Sequence, residues 1–399
     1  MSTQKSSTGW IVTFAATGIN LILGLLYSWS VIAAELIEKW DWTNTQAALP
    51  YTVCVALLSF MTIFGGRLQD KYGPRIIALI GGSLFGLGIL LSAFATTPAL
   101  MVGTFGIISG VGMGFGYASA TPSAIKWFEP RKKGLIAGIV VAGIGLSSVY
   151  MAPLATRLLR LYSIESTFVI LGIIAIVALV SFALILKNPP AGFVPKAKAG
   201  RPVVANAEDM PWNQMVKTPA FALLWLTYLL SATAGLMLIG HIVRIVRVQT
   251  DSTEGFYIVM VMAIFNTLGR VIGGYLSDSM GRTTALLIVF LIQAGVMFSF
   301  SFLDTIFLIG AGIAVAGLAY GALFSLYPAT TADFFGLKNL GVNYGLIFTS
   351  WGVAGIIGPI LAGRVVDLTG TYTWSYIVAG SMLLLGALLI KFVKAPAAK

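Results

Sequence analysis

Gly66-Arg67-Leu68-Gln69-Asp70-Lys71-Tyr72-Gly73-Pro74-Arg75 and Gly274-Tyr275-Leu276-Ser277-Asp278-Ser279-Met280-Gly281-Arg282 share one pattern, Gly-x3-Asp-x2-Gly, repeated 208 residues apart. Each copy follows a long apolar run. A second pair keeps nearly the same offset: Pro122-x4-Trp127-Phe128 and Pro328-x4-Asp333-Phe334 stand 206 residues apart. In a chain of 399 residues, an offset of about half the length means two copies of one unit. Repeated halves put any binding site near the bilayer midplane, where the halves meet.

The apolar runs set the solvent. Hydrophobic residues make up 58% of the chain, charged residues 10%, and the mean hydropathy is +0.92. Soluble domains are about 25% charged. Runs such as Ile76–Ala95, Thr167–Leu186 and Ala285–Phe302 reach the roughly 18–20 residues that cross a bilayer. Twelve spans are predicted, at 9–35, 44–66, 75–95, 98–124, 134–158, 166–186, 219–242, 254–276, 283–302, 305–330, 343–365 and 374–393. The expected fold is an all-α polytopic membrane protein with two pseudo-symmetric six-helix halves, 1–187 and 218–399. Residues 188–217 form a linker. They hold Pro189, Pro190, Pro195, Pro202 and Pro211 with Lys196, Lys198 and Arg201, a composition that favours extended chain.

The net charge of +11 does not mark a nucleic-acid surface, because the basic residues collect in alternate loops. Eighteen of the 25 Lys and Arg lie at the termini, in the linker, or in the loops after spans two, four, eight and ten; six lie in the opposite loops. By the positive-inside rule both termini and the linker are cytoplasmic. The membrane expected to hold them is the cytoplasmic (inner) membrane of a prokaryote.

Several function classes fall away. Cys54 is the only cysteine, so no internal disulfide and no metal set is expected. The short polar stretch before Gly9 has no signal-peptide pattern. Gly110 to Gly116 alternates glycine with apolar residues, but no phosphate-binding lysine follows, and no Gly-Lys-Ser/Thr loop exists to use ATP. One histidine and no mid-membrane acid make a catalytic set implausible, so no enzyme and no cofactor is expected. A sensor would normally add a soluble output domain, and six residues follow position 393.

Arg270 is the exception to the charge pattern. It lies inside an apolar helix, eight residues before Asp278, about 12 Å from that helix end at 1.5 Å per residue. A cation there costs at least about 2.5–3.5 kcal/mol on insertion scales and normally faces a bundle interior or wet cavity. A snorkelling or internally paired arginine is the bland alternative, but all 14 acids fall near span ends or in loops. Its planar fork of donors suits a carboxylate. Asn266 is one turn away on the same face, placed to contact a ligand or to hold Arg270.

The two Gly-x3-Asp-x2-Gly copies resemble the loop 2–3 motif of the major facilitator superfamily and its loop 8–9 counterpart. That resemblance implies the major facilitator fold, and a cytoplasmic latch to which Gly66, Asp70, Arg75, Gly274, Asp278 and Arg282 contribute. Three further strings are similar to the oxalate/formate antiporter group, a relative of the monocarboxylate transporters. They are Lys126-Trp127-Phe128-Glu129-Pro130-Arg131-Lys132-Lys133-Gly134-Leu135-Ile136-Ala137-Gly138, Thr218-Pro219-Ala220-Phe221, and Asp333-Phe334-Phe335-Gly336 through Asn343-Tyr344-Gly345. The resemblance covers essentially the whole chain.

It also implies a site. The monocarboxylate branch has Asp-x3-Arg in span eight, and this chain reads Asn266-x3-Arg270. The oxalate antiporters carry a lysine in span eleven, and this chain has Trp351 at the matching place. One cation fits one carboxylate, whereas a dianion would be left half-paired in low dielectric. By the same resemblance Leu26, Tyr27, Tyr117, Tyr320, Phe324, Phe348 and Trp351 line the cavity with Arg270 and Asn266. His241, near the end of span seven, is the candidate for proton coupling, with a plain interface role as its alternative. Gly143, Gly145 and Pro153 resemble the span-five motif of antiporters. The expectation is a monomeric secondary carrier of small monocarboxylates such as L-lactate, coupled to protons, with a carboxylate exchanger as the alternative.

Overall fold

Threonine and proline start several of the helices. Thr97, Thr218 and Thr305 each accept a hydrogen bond from the backbone N–H three residues on. In Thr97-Pro98 and Thr218-Pro219 the proline takes the first helical position, where its missing N–H costs nothing. Thr43 and Gln46 form a reciprocal capping box at the start of span two. Once started, each helix satisfies its own backbone, which is what a hydrocarbon solvent demands.

The computed structural model describes residues 2–190, 192–193, 209–250, 255–369 and 371–396. Among them, twelve helices are long and apolar enough to cross a membrane: Ser7–Trp40, Thr45–Tyr72, Pro74–Ser92, Pro98–Ile125, Pro130–Leu161, Ile164–Ile185, Pro219–Ile239, Tyr257–Met280, Arg282–Phe302, Ile306–Phe335, Leu340–Val366 and Thr373–Ile390. They are spans one to twelve below, and no strand occurs among the described residues. The protein is an all-helical, multi-pass membrane protein. Of the linker, residues 191 and 194–208, with Lys196, Lys198, Arg201, Pro195 and Pro202, lie outside the described residues. Its far end holds a short helix, Trp212–Met215.

The chain divides into two compact units. One comprises Met1–Glu129, Ile139–Arg201 and Leu337–Leu346; the other comprises Pro130–Gly138, Pro202–Gly336 and Ile347–Lys399. In the first, span four packs on spans one, two and three, and span six packs on spans one and three. In the second, span ten packs on seven, eight and nine, and span twelve on seven and nine. The second set of pairings is the first with six added to every number, so the repeat seen in the sequence is a repeat of packing.

Three readings of the sequence need correction. The Gly-x3-Asp-x2-Gly copies are not loops. Their first seven residues continue spans two and eight to Tyr72 and Met280, because a helix end in water needs no apolar residues. Gly73 and Gly281, at φ 89° and 91°, then turn the chain into the next span, a conformation that strains any residue with a Cβ. Span seven is not continuous to 242: it ends at Ile239, and a separate helix, Ile242–Thr250, follows Gly240 and His241. Span one is interrupted by a tighter 3₁₀ stretch at Gly24–Ser28, which contains Leu26.

Candidate functional site

Span eight carries Arg270 between two close neighbours. A side chain at Gly138, in the first turns of span five, would strike the Arg270 carbonyl, and one at Gly321 of span ten would strike the Asn266 carbonyl. These glycines let both helices approach the span-eight backbone at the level of the charge. The Arg270 side chain is buried, with 3% of the residue exposed. Its Nε donates to Asn266 Oδ1 at 3.0 Å, and its Cζ lies 4.6 Å from the Phe324 ring centroid, a cation–π distance. Since arginine only donates, the amide must present its oxygen here. Asn266 therefore holds Arg270, one of the two roles open to it from sequence.

Aromatic rings continue from Phe324. Tyr320 packs edge-on to Phe324 at 5.4 Å, and Trp351 lies 6.0 Å from Phe324. Trp351 stacks on Phe348 at 5.1 Å and donates its indole N–H to the Tyr320 hydroxyl at 2.8 Å. In that bond Tyr320 is the acceptor. Arg270, Asn266, Tyr320, Phe324, Phe348 and Trp351 thus form one continuous cluster within the second unit.

The other expected site residues are not part of that cluster. Tyr117 and Leu26 belong to the first unit, where both are buried. The Tyr117 hydroxyl lies 3.3 Å from that of Tyr344, a partner the sequence did not suggest. The Tyr27 side chain lies outside the described residues. His241 sits at the break after span seven. Its Nε2 is 3.2 Å from the Pro359 carbonyl and its Nδ1 3.1 Å from the Tyr372 hydroxyl. A carbonyl can only accept, so Nε2 carries a proton, and Nδ1 accepts from Tyr372 when the ring is neutral.

The residues expected to form a latch make two similar arrangements. Within the first unit, a side chain at Gly66 would strike the backbone of Gly341, at the start of span eleven. Asp70 accepts from the Val342 N–H at 3.0 Å and lies 3.4 Å from Lys126 Nζ. Within the second unit, Gly274 meets Gly134 in the same way. Asp278 accepts from the Gly134 and Leu135 N–H groups at 2.9 and 2.8 Å and pairs with Arg282 at 2.7 Å. Each carboxylate caps the N-terminus of another span, where unpaired N–H groups and the helix dipole favour negative charge. The motif's first glycine permits the approach and its aspartate makes the cap.

Arg75 departs from the expected pattern. Its Nε points to the Leu186 carbonyl at 3.4 Å, and Lys126 is the cation beside Asp70. Four residues after Asp70 stands Pro74; four after Asp278 stands Arg282. The proline displaces the basic residue by one position, a third of a turn away. Arg282 also donates to Asp333 at 2.7 Å, and Lys133 pairs with the same carboxylate at 3.0 Å. In sequence, Asp333 belonged to the repeat and both residues to the antiporter-like strings, with no role of their own.

Comparison with known proteins agrees with this architecture. The family model of the Major Facilitator Superfamily matches residues 9–315 and 258–399. The MFS-type transporter YhjX of Escherichia coli (strain K12) is 29% identical over 355 residues, 88% of this chain and 86% of its own. The oxalate:formate antiporter of Oxalobacter formigenes is 27% identical, covering 88% and 84%. Monocarboxylate transporter 13 of Bos taurus is 26% identical, covering 95% and 88%. Among solved structures, the E. coli fucose:proton symporter FucP superposes with a TM-score of 0.76 over 98% of this chain and 100% of its own, at 12% identity. Twelve spans, a packing repeat and a family model that matches nearly the whole length lead to one assignment: the chain belongs to the Major Facilitator Superfamily of membrane transporters.

Proposed function

We propose that this protein is a secondary active transporter of small monocarboxylates such as L-lactate, working by alternating access, with Arg270 pairing the substrate carboxylate. The observation that carries this reading is the setting of Arg270: buried, its Nε tied to Asn266 and its guanidinium carbon 4.6 Å from the Phe324 ring centroid. With orientation set on those two sides, the edge bearing the terminal nitrogens is the one that matches two carboxylate oxygens. Phe324, Phe348 and Trp351 supply an apolar wall for a short carbon chain, and Tyr320 supplies a hydroxyl. Leu26, Tyr27 and Tyr117 are the candidates from the first unit. The names of two relatives, an oxalate:formate antiporter and a monocarboxylate transporter, support an organic-anion substrate.

Trp351 favours a monoanion over a dianion, since it stands where the antiporter resemblance implies a second cation. Proton symport follows from electrostatics. A lone monoanion drawn in against a negative-inside potential costs about 2.3 kcal/mol per 100 mV, which a co-transported proton cancels. His241 is the candidate carrier. The halves 1–187 and 218–399 would rock about the site as a monomer in the inner membrane of a prokaryote, with both termini cytoplasmic. The caps of Asp70 and Asp278 would latch the cytoplasmic side in one state. The second reading, a carboxylate exchanger, is favoured by the similarity to the Oxalobacter antiporter.

Uptake of labelled L-lactate into proteoliposomes, with and without an imposed pH gradient, tests both. Saturable uptake driven by an acid outside supports symport. Uptake that ignores the gradient and accelerates with carboxylate loaded inside supports exchange. Absence of saturable uptake under either condition contradicts the proposal.

A further inference from the structure

The short helix Ile242–Thr250 has two unlike faces. Ile242, Ile245 and Val246 are buried, while Val243, Arg244, Arg247 and Val248 are exposed. The exposed face borders a cavity of about 770 Å³, lined by His241, Arg244, Arg247, Val243, Val248 and Val259 among others. Among the described residues, two permanent cations line this cavity and no carboxylate does. Asp251 and Glu254, next along the chain, lie outside the described residues. At about 770 Å³ the cavity has room for far more than one small carboxylate, which suits a basin for collecting anions better than a site that encloses one.

Its place on span eight ties it to the central charge. Val259 precedes Arg270 by eleven residues, about 16 Å along the helix. Eleven residues at 100° each amount to three turns and 20°. Val259, Asn266 and Arg270 therefore lie along one face of span eight, with Met262 and Ala263 between them. The basin stands at the far end of that stripe, on the side where span seven ends, opposite the linker that precedes it.

We propose that Arg244 and Arg247 form an anion-collecting vestibule that gathers small carboxylates at this face and feeds the stripe leading to Arg270. The proposal rests on the carboxylate-transporter reading. Its chemistry is nonspecific: two exposed guanidinium groups raise the local concentration of anions and steer them, and they do not select among them. Two consequences follow. Steering acts on arrival, so it changes the apparent KM from one face and not the maximal rate. It is also screened, because the Debye length shortens from roughly 30 Å at 0.01 M salt to about 10 Å at 0.1 M.

The test uses the full chain in proteoliposomes of known orientation, with labelled L-lactate presented to one face at a time at low and high ionic strength. For Arg244→Gln/Arg247→Gln, KM from the vestibule face at low ionic strength should rise about 3- to 10-fold. The maximal rate should hold, the wild type's salt dependence should vanish, and KM from the opposite face should not move. Arg244→Lys/Arg247→Lys should restore wild-type behaviour, since steering needs charge and not a planar fork. Asp251 and Glu254 remain in every variant. An unchanged KM and salt dependence overturns the proposal, as does an equal shift at both faces or a failure of the lysines to restore. Loss of all saturable uptake in the wild type would instead overturn the transporter reading beneath it. Arg270→Gln distinguishes the two sites, because it should abolish saturable uptake at every salt concentration.

Discussion

Asp278→Asn removes one charge and almost no volume, and its cost can be worked from the contacts. The carboxylate accepts two backbone N–H bonds at the start of span five, from Gly134 and Leu135, and pairs with Arg282 at 2.7 Å. Asparagine keeps one acceptor oxygen, so one N–H bond is lost and the other becomes neutral. Hydrogen bonds to charged groups contribute about 1.5–3 kcal/mol each. Charge at a helix N-terminus adds roughly 0.3–1 kcal/mol. Both partners of the ion pair are 7% exposed, so solvent does little to soften the loss. Arg282 keeps Asp333, which spares it the full penalty of an orphaned buried charge. The net cost comes to about 3 kcal/mol. For a cooperative unit of about 200 residues that corresponds to a fall in Tm of roughly 6–12 °C. Intrinsic tryptophan fluorescence on heating in detergent reads it directly. Ser279→Ala, one residue on and exposed, is the control and should stay within about 1 °C. If Asp278→Asn also melts within about 1 °C of the wild type, the cap does not hold the start of span five.

Three other variants probe different parts. Gln293 in span nine is fully buried, and neither polar atom of its amide has a hydrogen-bond partner among the described residues. Gln293→Met keeps the volume and removes a burial cost of about 1–3 kcal/mol, so Tm should rise by a few degrees; a fall would mean that the amide has a partner such as water. His241→Gln removes the ring that contacts Tyr372 and Pro359 and with it the candidate proton carrier, so the pH dependence of uptake should flatten while binding persists. An unaltered pH profile would place the proton elsewhere, for example on the substrate carboxylate. Trp351→Phe keeps a ring against Phe348 but deletes the bond to Tyr320, so KM for lactate should rise about 5-fold, the equivalent of a hydrogen bond of about 1 kcal/mol. An unchanged KM would remove Tyr320 from the site.

Charge and hydropathy made some features legible and left others hidden. Arg270 stood out because a cation in an apolar run is costly, and cost is visible in one dimension. The twelve spans and their repeat were legible for the same reason. The break after Ile239 was not, since apolar residues continue on both sides of Gly240. The work of Gly66 and Gly274 depends on contacts with Gly341 and Gly134, 275 and 140 residues away, and no local pattern names them. Likewise the Tyr117–Tyr344 contact joins positions 227 apart. The displacement of Arg75 was available from the sequence: counting four residues from each aspartate lands on Pro74 in one copy and Arg282 in the other.

If Arg270 presents a planar fork to a carboxylate, Arg270→Lys must impair transport even though it keeps the charge. Lysine keeps the charge but loses the Nε contact to Asn266, the guanidinium contact with the Phe324 ring and the capacity for bidentate pairing. Initial rates of labelled L-lactate uptake should be measured in proteoliposomes for the wild type, Arg270→Lys and Arg270→Gln, each first shown to be folded in detergent. The expected result is saturable uptake by the wild type, strong impairment by Arg270→Lys and none by Arg270→Gln. Wild-type-like uptake by either variant would contradict the assignment of Arg270 as the substrate's counter-charge.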